Sequence, residues 1–231
     1  MAATSISKSL RVLAHLLAYP TPELRQHLPE LRQVLADEGA VRGRRREELM
    51  AFVDALDRLP ALDAEAAYVE LFDRGRATSL HLFEHVHGDS RDRGPAMIDL
   101  AKTYEQKGLY LAPGEMPDYL PTVLEFASMQ PVDVAREFLA EMTHILQAIF
   151  SALSKRQSAY ASVLGALIEL SGGRAERVDV AADPALDETW EEPLAFGGCS
   201  TNGQSRPGAA QPVQLVRNHN PSSTRSSGAS A

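Results

Sequence analysis

Apolar residues recur along most of this chain at intervals of three and four positions, the spacing that places side chains on one face of an α-helix. Sustained alternation of apolar and polar residues, which would predict a β-strand, is nearly absent. The clearest stripes are Ile6, Leu10, Leu13 and Leu17; Leu24, Leu28, Leu31 and Leu35; Leu49, Phe52, Val53 and Leu56; and Phe138, Met142, Ile145, Ile149 and Leu153. The pattern predicts an all-α fold, with its longest helix from about residue 132 to residue 153.

Capping and turn-forming residues predict where several of these helices begin and end. Thr21 followed by Pro22 is typical of an N-cap and a first helical position, and Gly39 predicts the end of that helix. Asp63 is expected to cap a later helix. The prolines of the segment 117–121, PDYLP, exclude it from a helix interior. These signals divide the stripes into several helices of one bundle.

Composition changes twice along the chain and divides it into three parts. Residues 4–172 carry the helical stripes and predict a single helical-bundle domain. Residues 173–196 are acidic and contain the one tryptophan, Trp190; they are either an arm that folds back onto the domain or an acidic linker. Residues 197–231 are rich in Ser, Gly and Pro with almost no bulky side chains, so a disordered C-terminal tail is expected.

The net charge of −8 narrows the classes of partner. Nucleic-acid binding and attraction to anionic membrane surfaces both depend on basic residues, so neither is expected. Cys199 is the single cysteine, so the chain has no internal disulfide and no Cys-rich metal site. No apolar run in the sequence approaches the roughly 20 residues that span a bilayer, and the first stripe predicts an ordinary helix in preference to a signal peptide. A soluble, cytoplasmic protein without stable membrane insertion is therefore expected.

The string HLFEH is a candidate metal site. On a helix, His81 and His85 would lie on one face with Glu84 beside them, and two imidazoles and a carboxylate could ligate zinc and activate a water molecule. The string also matches the inverted zincin pattern. A catalytic site needs a third protein ligand, and the candidates Glu141 and His144 lack the surroundings of a peptidase. Because a five-residue match is common by chance, an amphipathic helix is the preferred interpretation.

Two charged segments flank this string, DRGRATS from 73 to 79 and GDSRDRG from 88 to 94. Their alternating charges could grip a partner or a phosphorylated ligand, or they could pair with each other in solvated loops, which is the commoner arrangement. The sequence contains no glycine-rich phosphate loop and no G-x-S-x-G nucleophile elbow. Phosphate-loop and serine-hydrolase chemistry are therefore unsupported.

Taken in order, four segments resemble one known family. They are YVELFDRGRATSLHLFEHVHGDSRDRGPAMIDL (68–100), YEQKGL (104–109), MPDYLPTVLEFAS (116–128) and the acidic Trp segment that ends in Phe-Gly (196–197). The chain resembles the respiratory nitrate reductase molybdenum cofactor assembly chaperones of the NarJ type, also called the nitrate reductase delta subunit family. The resemblance covers roughly residues 8–197, and its central block is long and specific.

The resemblance implies an all-helical fold of the redox-enzyme maturation type, without catalytic activity and without a cofactor of its own. It implies that the partner is the apo catalytic (alpha) subunit of nitrate reductase, bound by its N-terminal segment and kept competent for molybdenum cofactor insertion and complex assembly. Molybdenum cofactor biosynthesis proteins are implied as further partners. On this interpretation HLFEH is a family sequence feature and not a zinc site.

Our hypothesis places a peptide-binding groove around the central block, which the resemblance supports only as a whole. An apolar groove between helices accepts an amphipathic helical peptide, and acidic flanks favour a basic one. The predicted groove residues are Tyr68, Leu71, Phe72, Arg76, Leu80, Phe83, Glu84, Asp118 and Tyr119. Two other classes stay open. One is a helical adaptor for another molybdoenzyme, such as dimethyl sulfoxide or trimethylamine N-oxide reductase; the other is a zinc metallopeptidase acting through His81, Glu84 and His85.

Overall fold

The computed structural model describes residues 5–88 and 90–179. Within these residues the chain forms eleven α-helices, one short 3-10 helix at Arg76–Thr78 and no β-strand. The α-helices are α1 Ser7–Leu17, α2 Pro22–Gln26, α3 Leu28–Glu38, α4 Gly43–Arg58, α5 Ala61–Phe72, α6 Leu82–His87, α7 Arg93–Gln106, α8 Leu120–Ser128, α9 Val132–Glu141, α10 Thr143–Lys155 and α11 Ala161–Leu170. None of these described helices is both long and apolar enough to cross a membrane. The all-α prediction is confirmed.

Two helices form the centre of the bundle. α1 packs against α3, α8 and α11, and α11 packs in addition against α4 and α10. Every residue of α11 from Ser162 to Ile168 is buried, as expected for a helix that is apolar all round. Gly165 of this helix lies against Arg45 of α4. A Cβ at position 165 would be only 2.5 Å from the guanidinium, so a larger residue would not fit there without a shift of Arg45. The apolar stripes of the sequence therefore meet in one continuous core.

Several helix ends follow the local signals of the sequence. The Thr21 hydroxyl accepts a hydrogen bond from Leu24 N at 3.2 Å, as an N-cap should. Gly39 ends α3 at φ 62°, a left-handed conformation that favours glycine. The start of α1 is capped differently, because Glu38 of α3 accepts from Ser9 N at 2.6 Å. Local capping was predictable, whereas capping by a distant helix was not.

Two predictions for helices in the N-terminal half of the chain are wrong. The single helix expected after Thr21 is broken at His27 into α2 and α3. Pro29 lies in the first turn of α3 and has no amide hydrogen with which to continue the ladder of α2. Asp63 is not an N-cap but lies in the first turn of α5, whose N-cap position is Pro60. Pro60 has φ −54°, which already suits the start of a helix, so the first turn forms before Asp63.

The long helix expected from 132 to 153 is also two helices, α9 and α10. They meet at Met142, where φ is −96° and ψ is 4°. Met142 N donates to Leu139 O at 3.2 Å, a 3-10-type turn that ends the ladder of α9. No proline or glycine marks this break, and the spacing of the apolar stripe continues across it. Periodicity therefore could not reveal it.

A short extended segment follows α11 and runs along α10. Gln147 Nε2 donates to Arg174 O at 2.5 Å, and Ser151 Oγ accepts from Val178 N at 2.8 Å. The described start of the acidic segment therefore lies against the helical domain. Trp190, the rest of the predicted arm and the predicted tail lie outside the described residues.

Candidate functional site

The HLFEH string does not form the single helical face that its spacing predicts. His81 lies before the start of α6, with an extended backbone at φ −87° and ψ 103°, so it does not share a helical face with His85. His85 Nε2 lies 2.8 Å from the carbonyl oxygen of Ser79, and the Glu84 carboxylate accepts from the Ser79 hydroxyl at 2.5 Å. Over the part of the chain that the structure describes, no group of three or more His, Cys, Asp and Glu is arranged to hold a metal ion. The zinc-site hypothesis therefore loses its geometric basis.

A contact between distant parts of the sequence keeps His81 out of the helix. His81 forms an isolated antiparallel bridge with Tyr119. Beside the bridge, Leu82 N donates to the carbonyl oxygen of Asp118 at 3.0 Å. Helical periodicity is a local signal and cannot anticipate such a pairing. The pairing joins the HLFEH string and the PDYLP segment into one piece of structure.

Beside this bridge, a groove of about 550 Å³ opens between α1, α5, α8 and the loop 114–116. α1 contributes the small side chain of Ala14, and Ala18, which directly follows α1, contributes a second one. The apolar and aromatic side chains that line the rest of the groove are Tyr19, Tyr68, Phe72, Leu80, Met116, Tyr119 and Pro121. Elements that are far apart in the sequence therefore build one concave surface.

Aromatic rings form the floor of this groove. Phe72 packs on Tyr68 with ring centroids 4.8 Å apart. The Tyr68 hydroxyl donates to Leu17 O at 2.8 Å, which satisfies a carbonyl at the end of α1. Its single hydrogen is used there, so the Tyr119 hydroxyl, at 3.0 Å, donates to Tyr68. Burial raises the pKa of both Tyr68 and Tyr119, so the floor is an uncharged surface whose hydroxyl groups are already paired.

The groove is lined by three carboxylates, beside the histidines His15 and His81. Asp73, Glu115 and Glu125 line it, and none of the described lining residues is a lysine or an arginine. Glu65 lies close by and accepts a hydrogen bond from the Tyr19 hydroxyl at 3.2 Å. Carboxylates around an apolar floor favour a partner that carries both apolar and basic side chains.

A buried polar cluster centred on Asp118 lies behind the wall of the groove. The Asp118 side chain is 0% exposed and accepts a hydrogen bond from Phe83 N, in the first turn of α6, at 3.2 Å. His81 Nδ1 lies 3.4 Å from Asp118 Oδ1, and Arg93 Nη2 lies 3.7 Å from Asp118 Oδ2 and 3.4 Å from Glu84 Oε1. The hydrogen bond to Asp118 raises the pKa of His81. The cluster ties α6 and α7 to the segment that precedes α8.

Nine groove residues were predicted from the sequence, and four of them line this groove: Tyr68, Phe72, Leu80 and Tyr119. The other five lie outside its lining: Leu71, Arg76, Phe83, Glu84 and Asp118. The prediction missed Ala14 and His15 of α1, Ala18 directly after α1, and the acidic Glu125. The small side chains of Ala14 and Ala18 were an available signal, because small side chains at the end of a helix leave room for another segment. Binding of a peptide by any of these residues stays a prediction at this point.

Comparison with known proteins identifies the family. The family model described as "Nitrate reductase delta subunit" matches residues 18–164 of this chain. The chain belongs to this family. Another member, the nitrate reductase molybdenum cofactor assembly chaperone NarJ of Escherichia coli K12, is 42% identical over 193 residues, which cover 79% of this chain and 82% of that protein. NarW of the same strain is 39% identical over 193 residues, covering 79% of this chain and 80% of the relative.

The fold of this delta subunit family member also has a counterpart among solved structures. An Archaeoglobus fulgidus protein assigned to redox enzyme maturation aligns with a TM-score of 0.52, covering 73% of this chain and 95% of that protein. At 18% sequence identity this likeness concerns the fold alone. The family and the all-helical fold that the sequence predicted are thus confirmed.

Proposed function

We propose that this chain is a system-specific assembly chaperone for nitrate reductase. The observation that carries the proposal is the groove, in which Asp73, Glu115 and Glu125 surround an apolar aromatic floor. It occurs in a chain that is 42% identical to a protein named as a nitrate reductase molybdenum cofactor assembly chaperone. A groove of this kind supplies binding free energy to a partner segment. The proposed role is therefore binding without catalysis, and it requires no cofactor of the chaperone's own.

The proposed partner is the apo catalytic (alpha) subunit of nitrate reductase, held by its N-terminal segment. An amphipathic helix would place apolar side chains at i, i+3, i+4 and i+7 against Tyr68, Phe72 and Tyr119. Tyr68 and Phe72 are already buried, whereas Tyr19 and Met116 of the groove lining are exposed. Most of the binding free energy would therefore come from removing these two side chains, and the apolar side chains of the segment itself, from water. Basic side chains of the segment would face Asp73 and Glu125 at the edge, which speeds association and selects the partner.

Occupation of the groove keeps the N-terminal segment away from its place in the mature enzyme. The catalytic subunit then stays open to insertion of the molybdenum cofactor and to complex assembly, and proteins of molybdenum cofactor biosynthesis are proposed as further partners. The proposed place of action is the cytoplasm, where an unassembled subunit would be met. Release of the segment would follow insertion, because the mature subunit no longer offers it.

The test is calorimetric titration of the full chain with a synthetic N-terminal peptide of the nitrate reductase catalytic subunit from the same organism, with a chelator present. We expect saturable one-to-one binding. Glu125→Gln should weaken binding about twofold to fivefold, because it removes one charge from a solvent-exposed rim. Glu47→Gln is the matched control, since Glu47 is exposed on α4 and does not line the groove.

Three results would contradict the proposal in different ways. Absence of binding by wild-type protein that circular dichroism shows to be folded would overturn the peptide-binding role. Equal affinity for the corresponding peptide of dimethyl sulfoxide or trimethylamine N-oxide reductase would favour a helical adaptor for another molybdoenzyme. Equal losses for Glu125→Gln and Glu47→Gln would place the binding site outside the groove.

A further inference from the structure

We infer that Asp118 is a positioning residue of the groove, which fixes the groove wall from behind and does not touch the bound segment. The inference rests on the proposed function, because it concerns the same groove. Sequence reasoning places Asp118 among the peptide contacts, but its side chain is 0% exposed. A carboxylate without any accessible surface can act on a ligand only through the groups that it holds.

The first of these groups is the start of α6. The residue at the N-cap position of α6 makes no side-chain capping bond, although the amides of a first helical turn need acceptors. Asp118 Oδ2 supplies that acceptor from a segment 35 residues away, at 3.2 Å from Phe83 N. The main chain of Asp118 adds a second contact through its carbonyl oxygen, which accepts from Leu82 N at 3.0 Å. The beginning of this six-residue helix is therefore set by one distant residue.

The second group is His81, which lines the groove. Its Nδ1 lies 3.4 Å from the other oxygen of the Asp118 carboxylate. The His81 ring packs on Tyr119, another lining residue, with centroids 5.3 Å apart. One buried carboxylate therefore orients an imidazole that supports a tyrosine of the floor. The hydrogen bond also raises the pKa of His81, which is consistent with direct contact between the two side chains.

The third group is Arg93 of α7. Its Nη2 atom lies 3.7 Å from Asp118 Oδ2 and 3.4 Å from Glu84 Oε1. The positive charge balances two carboxylates, one of which is fully buried and would otherwise be strongly unfavourable there. α7 buries only Tyr104 completely, so apolar packing alone holds this helix weakly. Loss of the Asp118 carboxylate would therefore remove one contact each from α6, His81 and Arg93 at once, and leave only the main-chain contact with Leu82 and the pair of Arg93 with Glu84.

These contacts give Asp118 a way to control affinity without contacting the ligand. A groove whose wall fluctuates is competent to bind for only a fraction of the time, and the apparent affinity falls by that fraction. A wall that is fixed in advance avoids the entropy loss of ordering it during binding. Asp118 therefore acts by keeping the unoccupied groove in its binding shape.

The experiment compares three variants of the full chain with the same synthetic nitrate reductase peptide. Asp118→Ala should weaken binding about tenfold or more, because it removes both carboxylate oxygens that face Phe83 N, His81 and Arg93. Asp118→Asn should weaken it about threefold, because its amide oxygen can still accept one of the two hydrogen bonds. The control is Glu38→Ala, which removes the carboxylate that caps α1. It should lower the melting temperature but change the affinity less than about twofold, since Glu38 lies outside the groove lining.

Salt dependence separates positioning from direct contact. Glu125→Gln, at the rim, should reduce the dependence of affinity on salt concentration, whereas Asp118→Asn should leave it unchanged because its charge does not face the peptide. A reduced dependence in Asp118→Asn would instead show a direct contact and overturn the inference. Equal affinity losses in Asp118→Ala and Glu38→Ala would also overturn it, by assigning Asp118 a general effect on stability.

The remaining outcomes are also decisive. If Asp118→Ala does not fold, the asparagine variant decides the matter, and wild-type affinity in that variant would overturn the inference. Absence of binding by the wild-type chain would refute the proposed function itself. Wild-type binding with unchanged affinity in both Asp118 variants would refute only the positioning role.

Discussion

α11 and α7 belong to the same bundle, but they are held in place by different interactions. Every residue of α11 from Ser162 to Ile168 is buried, and α11 packs on α1, α4 and α10. In α7 only Tyr104 is fully buried, and the strongest packing partner is the short α6. Apolar packing on three helices therefore maintains the fold at α11. The position of α6 and α7 behind the groove depends on one ring contact, Tyr104 on Phe126 at 4.5 Å, and on a few hydrogen bonds and ion pairs. Stability and groove shape should respond to different substitutions.

The largest effect is expected for Ile168→Ala in α11. Ile168 is 0% exposed, and its truncation leaves a cavity in a close-packed region. The free energy of unfolding should fall by about 2–5 kcal/mol. The measurement is urea denaturation followed by circular dichroism, where the midpoint should fall and the slope should stay constant. A loss below about 1 kcal/mol would mean that the surrounding helices collapse into the space, and that α11 is less rigidly packed than its burial indicates.

A smaller loss is expected for Tyr104→Phe, at the one fully buried residue of α7. The Tyr104 hydroxyl donates to the carbonyl oxygen of Pro117 at 2.8 Å, next to Asp118. Removing the hydroxyl leaves the buried carbonyl oxygen of Pro117 without its donor, which should lower the free energy of unfolding by about 1–2 kcal/mol. The peptide affinity should also fall, because the segment that carries Asp118 is loosened.

The control for that substitution is Tyr110→Phe, since Tyr110 is 75% exposed. Denaturation and peptide titration of both variants would be compared with the wild type. Equal stability of the two variants would show that the Tyr104 hydroxyl does not fix α7. Reduced stability with unchanged peptide affinity would show that movement of α7 does not reach the groove.

The difference between contacts within one helix and contacts between distant segments also explains what the sequence could and could not predict. Thr21 and Gly39 act on their own helices, so local patterns identified both ends. The capping of α1 by Glu38 and of α6 by Asp118 joins residues that are far apart in the sequence. Local periodicity contains no information about such pairs, and for this reason it placed His81 inside a helix that begins after it.

The predicted groove residues likewise overlap only in part with the residues that line the groove. Tyr68, Phe72 and Tyr119 line it, and all three lie in the segments that carry the family resemblance. The apolar stripe of α1 indicates only a core helix, yet Ala14 of α1 and Ala18 directly after it line the groove. A periodic pattern shows that a face is covered, but only the tertiary arrangement shows which parts of that face stay open.

A further prediction concerns pH, because the hydrogen bond to Asp118 raises the pKa of His81 in the folded protein. Folding then favours protonated His81. The resulting stability is fully present below the unfolded pKa of about 6.5 and is lost as the pH rises through the folded pKa. Since His81 is partly exposed, solvent screening should keep the contribution below about 1 kcal/mol.

The measurement for that prediction is the melting temperature of the wild type and of His81→Gln across this pH range. The gap between the two should be widest at the acidic end and should close as the pH rises. His15→Gln is the control, because His15 is exposed on α1 and has no contact with Asp118. A gap that widens with pH would contradict the predicted sign, and a constant gap would show that His81 contributes only through packing.

The smallest effect is expected for Ile98→Ala in α7, the same chemical change as Ile168→Ala. Ile98 is 57% exposed, so its truncation should change the free energy of unfolding by no more than about 0.5 kcal/mol. Peptide affinity should also stay unchanged, because Ile98 neither lines the groove nor contacts the Asp118 cluster. Identical denaturation of the two alanine variants would abolish the contrast between α7 and α11. If Ile98→Ala instead lowered the free energy of unfolding by more than Ile168→Ala, Ile98 would have to be buried in solution. Its face of α7 would then have a contact that the described residues do not provide.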